Sequence, residues 1–100
     1  MFDLTGKVAL VTGGARDFGF HAGDVLAEAG CRVVVTAREL DRAREAAEKL
    51  AVRHHRETLA LALDVTRPEA VAETVGKAAA WKGHLDILVN NAGGTPSGGG

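Results

Sequence analysis

Short apolar blocks rich in β-branched residues alternate along the chain with longer stretches whose apolar residues recur at helical spacing. Lys7 to Thr12 reads Lys-Val-Ala-Leu-Val-Thr and stops at Gly13-Gly14, the pattern of a strand buried on both faces. Phe18, Ala22, Val25, Leu26 and Ala29 then fall at helical spacing, and Gly30 stands where a helix C-terminal glycine is favoured, so a helix is predicted between them. Cys31 to Thr36, centred on Val33-Val34-Val35, repeats the first strand. From Glu39 to Arg53, Leu40, Ala43, Ala47 and Leu50 form one stripe, while Arg44 with Glu48 and Glu45 with Lys49 are spaced as ion pairs on the other side: an amphipathic helix. Leu59 to Leu63 suits strand or helix by composition, and its place between two helical patterns makes it the third strand. Thr66 with Glu69 has capping-box spacing, Pro68 sits in the first turn, and Val71, Val75, Ala78 and Trp81 share a face of a third helix that runs to about Lys82. Asp86 to Val89 is the fourth apolar run and breaks at Asn90-Asn91-Ala92-Gly93.

Strands and helices in strict alternation, joined by right-handed crossovers, predict an α/β fold: a parallel sheet of strand order 3-2-1-4 with helices on both faces. No internal repeat is present beyond that alternation. Five of the thirteen glycines fall within Gly93 to Gly100, so this tail is expected to be flexible.

Composition narrows the function classes. One hundred residues leave room for one small core, and 46% hydrophobic with 25% charged residues is ordinary globular usage. Twelve Lys plus Arg against thirteen Asp plus Glu give a formal charge of -1, so no broad basic field draws nucleic acid or anionic lipid, and any anion site must be local. Cys31 is the lone cysteine, which leaves no internal disulfide and no Cys-rich metal site and predicts a buried thiol in a reducing compartment. With no charged leader before an apolar segment and no apolar run long enough to span a bilayer, a soluble, cytoplasmic protein is expected.

The stretch with chemical potential is Thr12-Gly13-Gly14-Ala15-Arg16-Asp17-Phe18-Gly19. A glycine-rich turn between a parallel strand and a helix lets backbone N–H groups approach a phosphate at the positive end of the helix dipole, although an ordinary tight turn would read the same way. No Cys or acidic residue stands at ligand spacing from His54 and His55, which suit a solvated helix end, and no metal site is expected. His21 and His84 are isolated, and they and Trp81 suit core or interface packing.

These residues resemble the short-chain dehydrogenase/reductase family. Thr12-Gly13 through Gly19 is similar to its Thr-Gly-x-x-x-Gly-x-Gly cofactor motif, Asp64-Val65 to the acidic position after the third strand that meets the adenine, and Asn90-Asn91-Ala92-Gly93 to its Asn-Asn-Ala-Gly motif. The resemblance implies a partial Rossmann-like three-layer domain over residues 1–92, followed by the glycine-rich tail 93–100. It implies that Thr12, Gly13, Arg16, Gly19, Arg38, Asp64, Val65, Asn91, Ala92 and Gly93 bind a dinucleotide. Asp64 could otherwise only end a strand or help cap a helix, and Asn90 and Asn91 could be turn formers.

One departure stands out: the motif's middle glycine aligns with Asp17. Its charge has the sign of a phosphate, and repulsion at ~5 Å and an effective dielectric of ~20 is on the order of 3 kcal/mol. Asp17 could instead cap the following helix and fill the anion site itself. At the end of the second strand Ala37 replaces the acidic residue that would hold the ribose of NAD, while Arg38 and Arg16 could clamp the 2′-phosphate of NADP or simply be solvated. NADP is therefore the expected cofactor, with NAD second. The missing acidic residue also disfavours a methyltransferase-like nucleotide site.

The family's catalytic Ser and Tyr-x-x-x-Lys lie beyond the fourth strand. The chain has no Tyr, and Ser97 sits in the tail, so no catalytic residue is assigned. The resemblance thus implies the cofactor-binding first part of a reductase acting on a small-molecule ketone or alcohol, inert as it stands. The alternative is a noncatalytic half-module: the family covers its fourth strand with a fifth, so an unpaired Asp86–Val89 edge would drive self-association or aggregation.

Overall fold

The computed structural model describes residues 3–91. Its elements are β1 (Val8–Thr12), α1 (Asp17–Glu28), β2 (Arg32–Ala37), α2 (Leu40–His54), β3 (Thr58–Ala62), α3 (Pro68–Lys82) and β4 (Ile87–Asn90). The four strands form one parallel sheet in the order β3-β2-β1-β4, as the alternation predicts. The expected elements are all present, with boundaries shifted by a residue or two.

Every residue of β1 is buried, because this central strand is paired on both sides and covered on both faces. Ala9, Val11, Val33 and Val35 point to the face packed by α1 and α2, where Ala27, Ala46, Ala47 and Leu50 complete the larger core. Val8, Leu10 and Val34 point the other way, against Ala78 of α3, with Val75 and Trp81 partly buried alongside. Helices therefore lie on both faces of the sheet.

α1 packs differently from its hydrophobic pattern. Its buried positions are Gly19, Gly23 and Ala27, while Phe18 is 79% exposed and Val25 is also exposed. A smooth glycine face lets the helix axis approach the sheet closely. A Cβ on Gly23 would already sit 3.0 Å from Leu50 Cδ1 of α2.

The helix ends also correct the sequence reading. At the end of α1, Gly30 at φ 115° donates its N–H to Ala27 O and Cys31 N–H goes to Leu26 O, a Schellman closure around the expected glycine. The expected Thr66–Glu69 capping box does not form. Arg67 is the N-cap without a side-chain bond, because Thr66 gives its hydroxyl to Asp64 and Glu69 accepts from Arg67 Nε instead. Within α2 and its N-cap the ion pairs are Arg42–Glu39 and Arg44–Asp41, three apart, not the expected four-residue pairs. Among the described residues no helix is long and apolar enough to cross a membrane.

Candidate functional site

The loop between β1 and α1 is shaped by close backbone contacts. Gly13 takes φ 64°, and Gly14 donates its N–H to Thr36 O at 2.9 Å, pinning the loop to the end of β2. Gly19, one helical turn further on, presses directly on that loop. A Cβ there would lie inside van der Waals contact of Gly13 O, 2.8 Å from Gly13 C and 3.0 Å from Gly14 Cα. Only glycine fits without moving backbone. The first intrahelical bond runs from Phe20 N–H to Arg16 O, so the N–H groups of Asp17, Phe18 and Gly19 precede the helical ladder at the end where the dipole favours an anion. These features fit a bound diphosphate: three amides precede the helical ladder at the start of α1, and no side chain intrudes at Gly13 or Gly19.

Asp17 is not the helix cap that was the alternative for it. The N-cap is Arg16, extended at φ -128°, and it makes no side-chain cap bond. Asp17 is the first helical residue, exposed, and held at φ 34°, a left-handed conformation that glycine accepts freely and Asp tolerates better than most other residues. As an N1 residue its carboxylate lies outside the N-cap geometry that reaches the amides of the next residues, although it still suits the positive helix end.

The rim of the site comes from the ends of β2 and β3, which pair through Ala37 and Ala62. Arg16 and Arg38 are both exposed. Asp64 Oδ1 accepts the N–H of Thr66 at 3.0 Å and its hydroxyl at 2.6 Å, an Asx turn. These bonds hold the Asp64 carboxyl below its ordinary range, and the charges of Arg38 and Arg67 lower it further. Arg38 and Asp64 thus attract each other across the strand ends. Val65 is half-buried in an apolar groove of about 360 Å³ that Thr12, Leu63, Val71, Leu88 and Asn90 also line.

Thr12 ties the site to β4. Its hydroxyl, buried at the end of β1, donates to Asn90 Oδ1 at 3.0 Å and accepts the N–H of Asn91 at 3.0 Å. Asn90 and Asn91 are therefore parts of a cross-strand tie and not simple turn formers. Spacing gives no hint of this bond, because its ends are separated by 79 positions in the chain. Ala92, Gly93 and the tail lie outside the described residues. Of the ten expected cofactor positions, the structure brings Thr12, Gly13, Arg16, Gly19, Arg38, Asp64, Val65 and Asn91 to the C-terminal end of the sheet: Thr12 ends β1, Gly19 is in the first turn of α1, and the others are on the loops that follow β1, β2, β3 and β4.

His54 departs from the solvated helix end expected of it: its side chain is 14% exposed, and Nε2 lies 2.6 Å from Asp24 Oδ1 on α1, which Arg53 also contacts at 3.0 Å. Packing of α1 beside α2 creates this pair. The Asp24 carboxyl is lowered chiefly by His54, against burial, with Arg53 adding to the effect. His84 is exposed and bonds Asp86 Oδ2 through Nδ1 at 2.7 Å, while His21 is exposed. Cys31 is fully buried, and burial, helped by the charge of Asp86, pushes its thiol up. No group of three or more His, Cys, Asp or Glu side chains that could hold a metal occurs among the described residues.

The family model for short chain dehydrogenase matches residues 7–99. The chain belongs to the short-chain dehydrogenase family. The family binds NAD(P), and the sheet order and helix placement match its Rossmann-like neighbours. Peroxisomal 2,4-dienoyl-CoA reductase of Danio rerio is 38% identical over 91 residues, covering 91% of this chain and 30% of that protein. L-Sorbose reductase of Gluconobacter frateurii, solved with NADPH and L-sorbose, superposes with a TM-score of 0.88 at 37% identity over 95% of this chain and 36% of that one. A metagenomic short-chain oxidoreductase in complex with NADP gives 0.82 at 37% identity, over 90% and 40%. This short-chain dehydrogenase chain spans about a third of the length of the curated relatives it matches.

Proposed function

We propose that this chain is the cofactor-binding portion of an NADP-dependent oxidoreductase that interconverts a ketone and an alcohol by hydride transfer. The observation that supports the reading is the close fit of Gly19 against Gly13, which leaves the first amides of α1 beside a loop where neither glycine adds a side chain against a diphosphate. Thr12 and Asn91 brace the floor. The bound dinucleotide would supply the hydride, and the residues of this chain bind and orient it.

Arg16 and Arg38 favour NADP over NAD because a guanidinium matches a 2′-phosphate, and no acidic side chain follows β2 at Ala37 to hold ribose hydroxyls. Asp64 and Val65 would meet the adenine. Ala92 and Gly93 belong to the same motif as Asn91 and would bind the dinucleotide too. The complexes of L-sorbose reductase with NADPH and of the metagenomic enzyme with NADP support the cofactor choice. With no tyrosine in these 100 residues, the family's proton donor has no counterpart here, so the chain alone binds cofactor without turning over substrate. The lone buried thiol of Cys31 suits the reducing cytoplasm.

Titration with NADPH and NADH, followed by nucleotide fluorescence, tests the reading. Saturable binding that is tighter for NADPH, with the difference lost in Arg38→Ala, is expected. Equal affinity for the two nucleotides would remove the arginine argument.

A second reading is favoured by one observation. Among the described residues β4 is a sheet edge, and its Leu88 is 53% exposed. A noncatalytic module that associates through this edge would sediment as a concentration-dependent oligomer, and Leu88→Lys would return it to a monomer.

A further inference from the structure

Asp17 poses a problem that the fold itself addresses. It places a negative charge at the mouth of the seat, in a left-handed conformation that any other side chain would also strain. Beside it, α1 and α2 enclose a cleft of about 340 Å³ lined by Ala15, Asp17, Phe20, Arg42, Lys49 and Arg53, with Glu45 among the cations. The cleft carries more positive than negative side chains.

Its cations are not equivalent. Arg53 is engaged by Asp24 at 3.0 Å and lies 5.9 Å from the Phe20 ring. Lys49 lies ~13 Å along α2 from the start of the helix at Leu40, and Arg42 only ~3 Å along it, at the usual rise per residue. Arg42 and Asp17 both lie in the first turns of their helices and line the same cleft. Glu39 engages only Nε of Arg42, at 2.9 Å, so the terminal amino groups of the guanidinium remain as donors.

We propose that Arg42 is a positioning residue that acts through Asp17, drawing its carboxylate into the α1/α2 cleft and away from the phosphates of the dinucleotide. The proposal rests on the reading of the loop as a diphosphate seat. Asp17 makes no ion pair among the described residues, so the attraction works across the cleft and is weakened by salt. Arg42 and Asp17 are both exposed, so substitutions at either leave the core intact.

A double-mutant cycle on NADPH affinity at low salt tests the proposal, with Arg42→Gln, Arg42→Lys, Asp17→Gly and the Asp17→Gly/Arg42→Gln pair. Arg42→Gln is expected to weaken binding about threefold or more in the native background and to have almost no effect once Asp17 is Gly, the non-additivity of groups that act on each other. Arg42→Lys keeps the charge and restores most of the affinity. Equal weakening in both backgrounds would mean that Arg42 meets the cofactor directly, and no weakening in either would mean that it does nothing; each overturns the proposal. Binding by Asp17→Gly without binding by the native chain would overturn it too, while supporting the seat. Absence of NADPH binding by every variant, Asp17→Gly included, would instead overturn the cofactor reading itself.

Discussion

Replacing Gly19 by Ala adds one methyl group where the structure has none to spare. The new Cβ would overlap Gly13 O and approach Gly13 C to 2.8 Å and Gly14 Cα to 3.0 Å, and all of these are backbone atoms that cannot rotate aside. Overpacking of this kind costs roughly 1–3 kcal/mol, and rigid backbone neighbours place the cost at the upper end. Alanine's helical preference returns at most about 1 kcal/mol. The net loss is about 1–2 kcal/mol, which lowers the melting temperature by roughly 4–16 °C for a domain of this size. Gly76→Ala is the control. Gly76 is exposed within α3, and a Cβ there meets nothing within 4 Å, so the same methyl group should stabilise the protein by about 0.5–1 kcal/mol. Urea denaturation followed by circular dichroism, with calorimetric melts, reads both variants. Opposite signs are expected, together with weaker NADPH binding by Gly19→Ala alone. A Gly19→Ala variant as stable as the native chain would refute the packing argument at the loop.

Other outcomes follow from the same contacts. Thr12→Val keeps the shape but leaves Asn90 and the Asn91 N–H without their partner, which should cost about 1–2 kcal/mol in denaturant midpoints and weaken NADPH binding. Asp24→Asn tests the α1–α2 tie. A carboxyl whose folded value lies below its ordinary 3.8 contributes stability that is present above that value and lost as pH falls through the depressed one. The native chain should therefore lose stability in melts taken from pH 5 down to about pH 2, and the variant should start lower at pH 7 and decline less steeply. In sedimentation velocity, Leu88→Lys should reduce any self-association through β4 without changing stability by more than about 0.5 kcal/mol.

Local pattern carried the fold a long way. β-Branched runs such as Val33-Val34-Val35 are legible as buried strands because the sheet is covered on both faces, and glycine closes α1 where its spacing says it should. What hydrophobicity could not reveal was the packing face of α1. Its contact residues Gly19, Gly23 and Ala27 carry almost no side chain, whereas the conspicuous Phe18 and Val25 point to solvent. The misplaced cap at Thr66 has a local cause, since Asp64 competes for the same hydroxyl. The Asp24–His54 contact and the Thr12–Asn91 tie join positions 30 and 79 apart and exist only once helices and strands are packed. The motif residues were recognisable by resemblance. That Asp17 is not a cap depended on one backbone angle and on the N-cap falling at Arg16, which no spacing encodes.

The most direct test of the diphosphate seat is an amide-resolved NMR titration of the isotope-labelled chain with NADPH. The N–H signals of Asp17, Phe18 and Gly19 should move earliest and furthest, saturating together with signals from Arg38 and Asn91, because these amides and strand ends surround the proposed site. If the nucleotide reaches millimolar concentration with the loop amides unmoved, the seat does not exist and the cofactor assignment falls with it.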